Sequence, residues 1–371
     1  MARHRNEHTH QGRMAPLIAM LLAAAYAVDR IDTAPTPKKV RHRSKEERTA
    51  LPPPSMPRSA AILPPPTMIH PIFRPGIVQD PQQLFRPALE LASRFLTSDA
   101  FLGYWYIAFY SPVTDLPIPT RGDIATPPPG TKHFGFTAAL PTHLTRAQIA
   151  ITDLALADLA NSLTRDLRSS SPERAGGRCK HLRHEPALPP FRGHRSCIQI
   201  SSYFHDMLVH PAVSEADKTW LQFELAKTLL HEVAHAALNA ARAKGSREHF
   251  FFRGCGVAED GFQLEACLFG GKIDLRRAEF HDAVAGHDEG YMSACSSSSD
   301  GRPLIRGFMT PWPSWEAVEE YRVRGSLIGV RGPVARCPRG REVGFERVRR
   351  LFTGERWEED VGRFGSLRLC F

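Results

Sequence analysis

The sequence lacks most of the short motifs that identify common enzyme classes. None of its seven cysteines belongs to a C-x-x-C pair, which argues against a zinc ribbon or a thioredoxin-type redox site. It contains no G-x-x-x-x-G-K-[ST], G-x-G-x-x-G or G-x-S-x-G motif. The sequence therefore gives no indication of a phosphate-binding loop, a dinucleotide-binding turn or a serine-hydrolase nucleophile.

A long apolar run is also missing. The uncharged stretch over residues 14–28 is shorter than the roughly 20 residues that cross a bilayer, so we expect no stable membrane span. It follows basic residues and ends near Ala25-Tyr26-Ala27, which has the small-x-small form of a signal-peptide cleavage site, whereas an arginine-rich start is typical of a mitochondrial presequence. The sparse cysteines instead favour an intracellular protein. Residues 1–27 thus leave secretion and mitochondrial import open, and the compartment undetermined.

The net charge of +9 would ordinarily indicate an acidic partner such as nucleic acid. Residues 1–60, however, hold eleven Lys and Arg against five Asp and Glu, a difference of +6 that leaves only +3 for the rest of the chain. Ten prolines between residues 52 and 81 prevent regular structure there. We predict a disordered, basic, Pro-rich segment over residues 1–75 and one folded domain over residues 76–371. Nucleic-acid binding through the basic segment is the less favoured function.

Apolar spacing predicts the main elements of the folded region. It indicates helices over residues 81–95, 144–167 and 345–352, strands over 101–110 and 197–201, and a loop over 174–195.

The segment that carries chemistry is a helix predicted over residues 215–242, capped by Ser214 and free of Pro and Gly. It contains His231-Glu232-Val233-Ala234-His235, an H-E-x-x-H motif. Histidines four residues apart project about 40° from each other and can bind one Zn²⁺, while Glu232 can accept a proton from a metal-activated water. Because the apolar residues cluster on another side of the helix, we expect both histidines to face a polar cleft. The alternative is a solvated surface stripe.

A catalytic zinc site needs a third protein ligand. The metzincin extension is absent, since Leu238 and Ala241 stand where Gly and His would be required. A second helix predicted over residues 257–266 carries Glu259 and Glu265, which lie about 240° apart around the helix and cannot readily face one metal. We favour Glu259 because it opens the helix. The lesser candidates are Asp260, His249, His281 and His287.

These residues resemble the zincin metallopeptidases. They are most similar to the gluzincin branch, in which H-E-x-x-H on one helix is completed by a Glu on the next, often followed closely by Gly, as in Glu259-Asp260-Gly261. The order of strand, H-E-x-x-H helix and second helix over about residues 196–272 is similar to uncharacterised zincin-like proteins predicted from fungal genomes. SprT-like proteases share the strand and helix but usually add a cysteine zinc ribbon, so we rank them lower.

The resemblance implies an α+β, zincin-like domain with a small sheet. It implies that His231, His235 and Glu259 bind one Zn²⁺ and that Glu232 is the general base of peptide-bond hydrolysis. It further implies that the strand near residues 198–201 lines the cleft and pairs with an extended peptide or protein substrate. An oxyanion donor is also expected, and no spacing selects among Tyr203, His205, Tyr291 and Tyr321. The alternative is a zincin-like protein that binds zinc or peptide without turnover.

Overall fold

The computed structural model describes residues 69–73, 83–116, 133–136, 140–141, 143–168, 176–242, 257–277, 305–310, 312, 329–330, 341–353 and 357. The predictions for residues 1–68 and for His249, His281 and His287 lie outside the described residues. The chain divides between Pro66 and Thr67, and every described residue belongs to the second unit. A short 3-10 helix, Pro71–Phe73, buries Ile72 and Phe73 in the core, so core residues occur before the predicted start of the domain.

Three helices form the N-terminal part of the described fold, namely α1 (Arg86–Thr97), α2 (Asp99–Tyr110) and α3 (Arg146–Ser162). Between α2 and α3, β1 (Val113–Leu116) pairs with β2 (His133–Phe136) in antiparallel fashion. Helices α1 and α3 confirm two predicted helices. The strand predicted over residues 101–110 is wrong, because α2 is helical there. Its side chains are buried around almost the whole helix, so no polar face reveals the helical period.

A three-stranded sheet follows, consisting of β3 (Leu163–Arg168), β4 (Gly177–Pro186) and β5 (His194–Ser201). The strand order is β3-β5-β4, with β3 parallel and β4 antiparallel to β5. Strand β5 confirms the prediction for residues 197–201. Both of its edges are occupied, however, so the expectation that it pairs with a substrate peptide is wrong.

Two sequence predictions fail next to this sheet. The helix predicted over residues 144–167 ends at Ser162, where β3 begins. The loop predicted over residues 174–195 is wrong because β4 occupies its first half. Basic side chains on the exposed face of β4 hide the alternation by which a strand is normally recognised. Among the described strands, β4 leaves one edge of the sheet unpaired.

The long helix α5 (Glu215–Ala241) follows the short helix α4 (Tyr203–Val209) and confirms the predicted motif-bearing helix. The Ser214 hydroxyl accepts a hydrogen bond from the backbone amide of Asp217 at 3.1 Å, as expected of an N-cap. At the other end, the Arg242 guanidinium donates to the carbonyls of Ala108 and Ser111. Of the described helices, α5 included, none has the length and apolar character needed to cross a membrane.

The C-terminal part of the described fold begins with β6 (Val257–Ala258), α6 (Asp260–Phe269) and β7 (Lys272–Arg277). It continues with β8 (Ile305–Thr310), β9 (Gly329–Val330), β10 (Arg341–Val343) and α7 (Phe345–Phe352). Strands β10, β8 and β7 form an antiparallel sheet in that order, and β6 pairs with β9. Helices α6 and α7 confirm two predicted helices. Helices combined with small, mostly antiparallel sheets make the domain α+β, as predicted.

An aromatic cluster in the core fixes α6 against α5. The ring of Phe269 on α6 lies 5.5 Å from that of Phe223 on α5 and 5.3 Å from that of Phe95 on α1, with steep interplanar angles of 63° and 86°. All three rings are buried, with at most 1% of each residue exposed. Edge-to-face packing of this kind stabilises one orientation of the rings. It therefore sets the position of α6 relative to α5, and with it the site between them.

Candidate metal centre

Three side chains from two segments converge where α5 meets the start of α6. Oε1 of Glu259 lies 2.9 Å from Nε2 of His235 and 3.3 Å from Nε2 of His231, and the two Nε2 atoms are 3.3 Å apart. The potential ligand atoms all lie within 4.8 Å of one another. Within the described part of the chain, this is the one cluster of at least three His, Cys, Asp or Glu side chains with such a geometry. We call these three residues the triad.

The triad is more enclosed than the sequence suggested. The side chains of His231, His235 and Glu259 are 16%, 17% and 7% exposed. Helix α5 is buried around most of its circumference, so the histidines lie largely enclosed by neighbouring elements rather than along a broad polar cleft. A solvated surface stripe is therefore excluded as the explanation of the two histidines.

Glu259 is held in place by its position at the start of α6. Its backbone is extended, with φ −158° and ψ 107°, and its Oε2 accepts a hydrogen bond from the amide of Phe262, so that Glu259 caps the helix. This leaves Oε1 directed at the two histidines. Burial alone would raise the pKa of the Glu259 carboxyl, but the imidazoles of His231 and His235 hold it well below its usual range. The group is therefore ionised at neutral pH.

A second carboxylate orients His231 from the opposite side of the ring. Oε1 of Glu265 lies 3.0 Å from Nδ1 of His231. A carboxylate accepts hydrogen bonds, so the neutral imidazole carries its proton on Nδ1 and presents the Nε2 lone pair to the triad. Burial lowers the pKa of His231, but Glu259 and Glu265 outweigh it and raise that pKa well above its ordinary value. Glu265 thus contacts the outer nitrogen of His231, while Glu259 joins the triad.

The ammonium group of Lys227 compensates the charge of Glu265. Its Nζ lies 2.9 Å from Oε1 of Glu224 and 3.7 Å from Oε2 of Glu265, and it donates a hydrogen bond to the carbonyl of Ile273. The side chains of Lys227 and Glu265 are only 6% and 3% exposed. Burial opposes the charge on Lys227, yet Glu224 and Glu265 raise its pKa above the ordinary value. These contacts link α5, α6 and β7 behind His231.

Glu232 lies on the side of α5 that faces β4 and is 6% exposed. The backbone of Cys179 on β4 lies close to its carboxylate. A Cβ on Gly177 would lie 2.9 Å from Cγ of Glu232, so the strand approaches this side chain closely. Burial raises the pKa of Glu232, while His231 and His235 oppose the increase. The strand that the sequence did not predict therefore positions the candidate base.

A glycine makes room for the ring of His231. A Cβ built on Gly261 would lie 2.4 Å from both Cγ and Cδ2 of the imidazole. Gly261 does not have a positive φ, so the need for glycine is one of space rather than of backbone conformation. The ring of Phe262 lies at 73° to that of His231, with centroids 4.7 Å apart. The imidazole is therefore confined by its neighbours on α6.

The other candidate residues lie elsewhere. Asp260 is outside the triad, and its backbone carbonyl accepts a hydrogen bond from the Tyr104 hydroxyl at 2.8 Å. Tyr203 packs against Phe204 on α4, and the exposed His205 lies 3.2 Å from Asp206. Tyr291 and Tyr321 are outside the described residues, and the expected oxyanion donor stays a prediction.

Sequence reasoning missed the contact of β4 with Glu232 and the buried charges behind His231. The sequence did contain an indication of these buried charges. Glu224 and Lys227 precede His231 by seven and four residues, so all three side chains lie on one side of the helix.

The contact between Gly261 and His231 is tested by Gly261→Ala. Gly to Ala inside a helix ordinarily stabilises by about 0.5–1 kcal/mol. Here we expect the opposite sign, a loss of about 1–3 kcal/mol in the free energy of unfolding, because the added methyl group overlaps the imidazole. Urea denaturation measures it. Gly344→Ala is the control, since its Cβ meets no atom within 4 Å and the change at this helix N-cap should cost under about 1 kcal/mol. Unchanged or increased stability of Gly261→Ala would contradict the placement.

The buried ion pair of Lys227 is tested by Lys227→Met, which keeps the length of the side chain and removes its charge. We expect a loss of about 3–5 kcal/mol in the free energy of unfolding, because Glu224 and the buried Glu265 lose the cation that they share. Lys218→Met is the matched control on the same helix. Lys218 pairs with Glu215 at 2.8 Å, but these side chains are 28% and 89% exposed, so its loss should cost under about 1 kcal/mol. Equal effects of the two substitutions in urea denaturation would contradict the buried network.

Comparisons with known proteins do not place the chain in a family. No family model, curated protein or solved structure compared with it matches. The chemistry of the triad and Glu232 therefore has to be argued from the residues themselves.

Proposed function

We propose that this chain is a zinc-dependent metallopeptidase with a zincin-like domain, in which His231, His235 and Glu259 bind the metal and Glu232 is the general base. The observation that carries the proposal is the convergence of the triad beside a buried carboxylate that is not part of it. Three protein ligands leave a fourth position on zinc for water or substrate. A metal with an open position and an adjacent base is the combination that hydrolysis of an amide requires.

The residues of the triad fit a zinc ion. Two imidazole nitrogens and one carboxylate oxygen form a donor set typical of catalytic zinc sites. The hydrogen bond from Nδ1 of His231 to Glu265 is the outer contact that zinc-binding histidines usually make. Zinc binding requires both imidazoles to be neutral, and the buried carboxylates of Glu259 and Glu265 would then exceed the charge of Lys227, which Glu224 shares. A divalent cation at the triad would take the place of the proton on His231 and neutralise this negative charge.

Glu232 has the properties of a base that transfers a proton between two steps. When bound, Zn²⁺ acidifies the water it coordinates and polarises a substrate carbonyl. Glu232 follows the first histidine of the triad directly, and its carboxylate lies close to the backbone of Cys179. In this position it can accept a proton from the attacking water and return it to the leaving amine. The raised pKa of Glu232 favours holding that proton between the two transfers.

Strand β4 replaces β5 as the strand expected to bind an extended peptide. Gly176 accepts a hydrogen bond from the Ser201 amide at 2.9 Å, and β4 and β5 keep that register, pairing Gly177 with Ile200. The hydrogen-bonding direction alternates along an antiparallel strand, so the backbone groups of Gly177, Cys179 and His181 point away from β5. The carboxylate of Glu232 lies close to the backbone of Cys179. A peptide added to this edge would therefore run beside the candidate base.

Zinc binding is tested by competition with a chromogenic chelator. We expect about one zinc per chain, and His235→Ala should weaken binding by at least about 100-fold. Without metal, the raised pKa of His231 means that its imidazole holds an extra proton at neutral pH, and zinc must displace it. Affinity should therefore rise with pH, by up to about tenfold per pH unit for each proton released. His205→Ala, at an exposed histidine outside the triad, is the control and should bind as the wild type does. A chain that cannot be loaded with zinc would contradict the proposal.

The role of Glu232 is tested by Glu232→Gln, which preserves the shape of the side chain. We expect kcat on casein or a peptide library to fall about 10²–10⁴-fold, with zinc still bound. Glu215→Gln is the matched control on the same helix, at a side chain that is 89% exposed, and should leave both properties unchanged. If the wild type and Glu232→Gln are equally inert while zinc stays bound, the chain is a non-catalytic zinc-binding protein and the catalytic proposal is wrong.

A further inference from the structure

We propose that the outer edge of β4, which no described strand covers, selects peptide substrates that carry acidic side chains at alternate positions. This inference rests on the proposed peptidase function and names its substrate class. It comes from two basic residues of β4, Arg178 and Lys180, whose side chains are exposed. Neither forms an ion pair with another residue in the described part of the chain.

The two basic side chains lie on the face of the sheet that points away from α5. Side chains alternate along a strand, and Gly177 faces Thr228 and Glu232 on α5. Cys179 shares that inner face, and its Sγ lies 3.8 Å from Nδ2 of Asn239. Arg178 and Lys180 therefore project from the opposite face. A peptide strand along β4 would likewise have an inner face directed at α5 and an outer face beside these two cations.

The register of the edge brings the outer face of such a peptide close to the basic residues. Arg178 and Lys180 use their backbone groups to bond β5, so each would form a non-hydrogen-bonded pair with the peptide residue opposite. In such pairs the Cα atoms are only about 4.5 Å apart and the side chains adjoin. Acidic residues at these two positions, separated by one residue, would each meet one cation.

The basic side chain of Arg195 on the neighbouring strand is already neutralised. Its guanidinium pairs with Glu185 of β4 at 3.1 Å. The buried carboxylates Glu232 and Glu259 lie on the α5 side of the sheet. Arg178 and Lys180 lie on the other side, so the attraction concerns acids on the outer face of the peptide. Charged side chains also protect sheet edges from aggregation, but that role alone would produce no preference among peptides.

The selectivity is tested with three labelled decapeptides of one scaffold, carrying Asp, Lys or Ser at two alternate positions. Their affinities for zinc-loaded Glu232→Gln are measured by fluorescence anisotropy, so that turnover does not interfere. We expect the Asp peptide to bind about 2- to 30-fold more tightly than the Ser peptide, because each exposed ion pair contributes modestly. The Lys peptide should bind more weakly than both. The differences should shrink when salt is raised from about 0.05 M to 0.5 M.

The control separates local recognition from net charge. In the same background, the double substitution Arg178→Glu with Lys180→Glu should reverse the order of the Asp and Lys peptides. Arg341→Glu with Arg347→Glu changes the net charge equally at two exposed residues. Both lie close in sequence to Phe345, whose ring packs against that of Trp220 near the start of α5, with centroids 6.4 Å apart. Strand β4 contacts Thr228 and Glu232 further along the helix, so this pair of substitutions is at a different place from β4. This second pair should keep the preference for the Asp peptide.

Equal affinity of the three peptides, or the same order in the β4 double variant, overturns the selectivity. The proposed peptidase function is tested by a different measurement, which is cleavage by the wild type. If the wild type does not cleave the peptide that binds most tightly, the proposed function is wrong whatever the order of affinities.

Discussion

The structure depends on one constraint, which is that α5 is both the centre of the hydrophobic core and the support of the polar site. Most of its residues are buried, so the helix cannot shift without disturbing the packing of its neighbours. Phe223 faces the aromatic cluster, while His231, Glu232 and His235 face α6 and β4. The positions of the polar side chains are therefore set by the packing of the apolar ones. Rigid elements of this kind hold a reactive geometry more accurately than loops do.

The polar side chains of the site are connected rather than isolated. Lys227 contacts Glu265, Glu265 contacts His231, and His231 meets Glu259, so that a chain of opposite charges runs from β7 to the triad. Buried charges are costly unless each has a partner. Here the partners also determine which imidazole nitrogen faces the triad. The same contacts that limit the cost of burial would therefore also prepare the site for the proposed metal.

Predictions from the sequence were correct where neighbouring residues along the chain determine the structure. The Ser214 cap, the absence of Pro and Gly in α5 and the histidine spacing are local features, and they located the helix and two members of the triad. Predictions were wrong where the structure of a segment depends on which of its side chains the rest of the fold buries. Helix α2 is buried around almost its whole surface, and β4 is an edge strand with an exposed basic face, so neither shows the expected periodicity. The preference for Glu259 over Glu265 agrees with the structure, because Glu259 does open α6 and lies in the triad. The contact of Glu265 with the outer nitrogen of His231 depends on how α6 packs against α5, which the sequence does not contain.

X-ray absorption spectroscopy at the zinc edge of the metal-loaded protein tests the central claim most directly, because it reports the ligands of the metal itself. The structure predicts two imidazole nitrogens and light oxygen ligands at about 2.0–2.2 Å. The Glu259→Ala variant should lose one oxygen ligand and keep both imidazoles. A sulfur ligand at about 2.3 Å, or a spectrum with fewer than two imidazoles, would show that zinc does not bind at His231, His235 and Glu259 and would contradict the account.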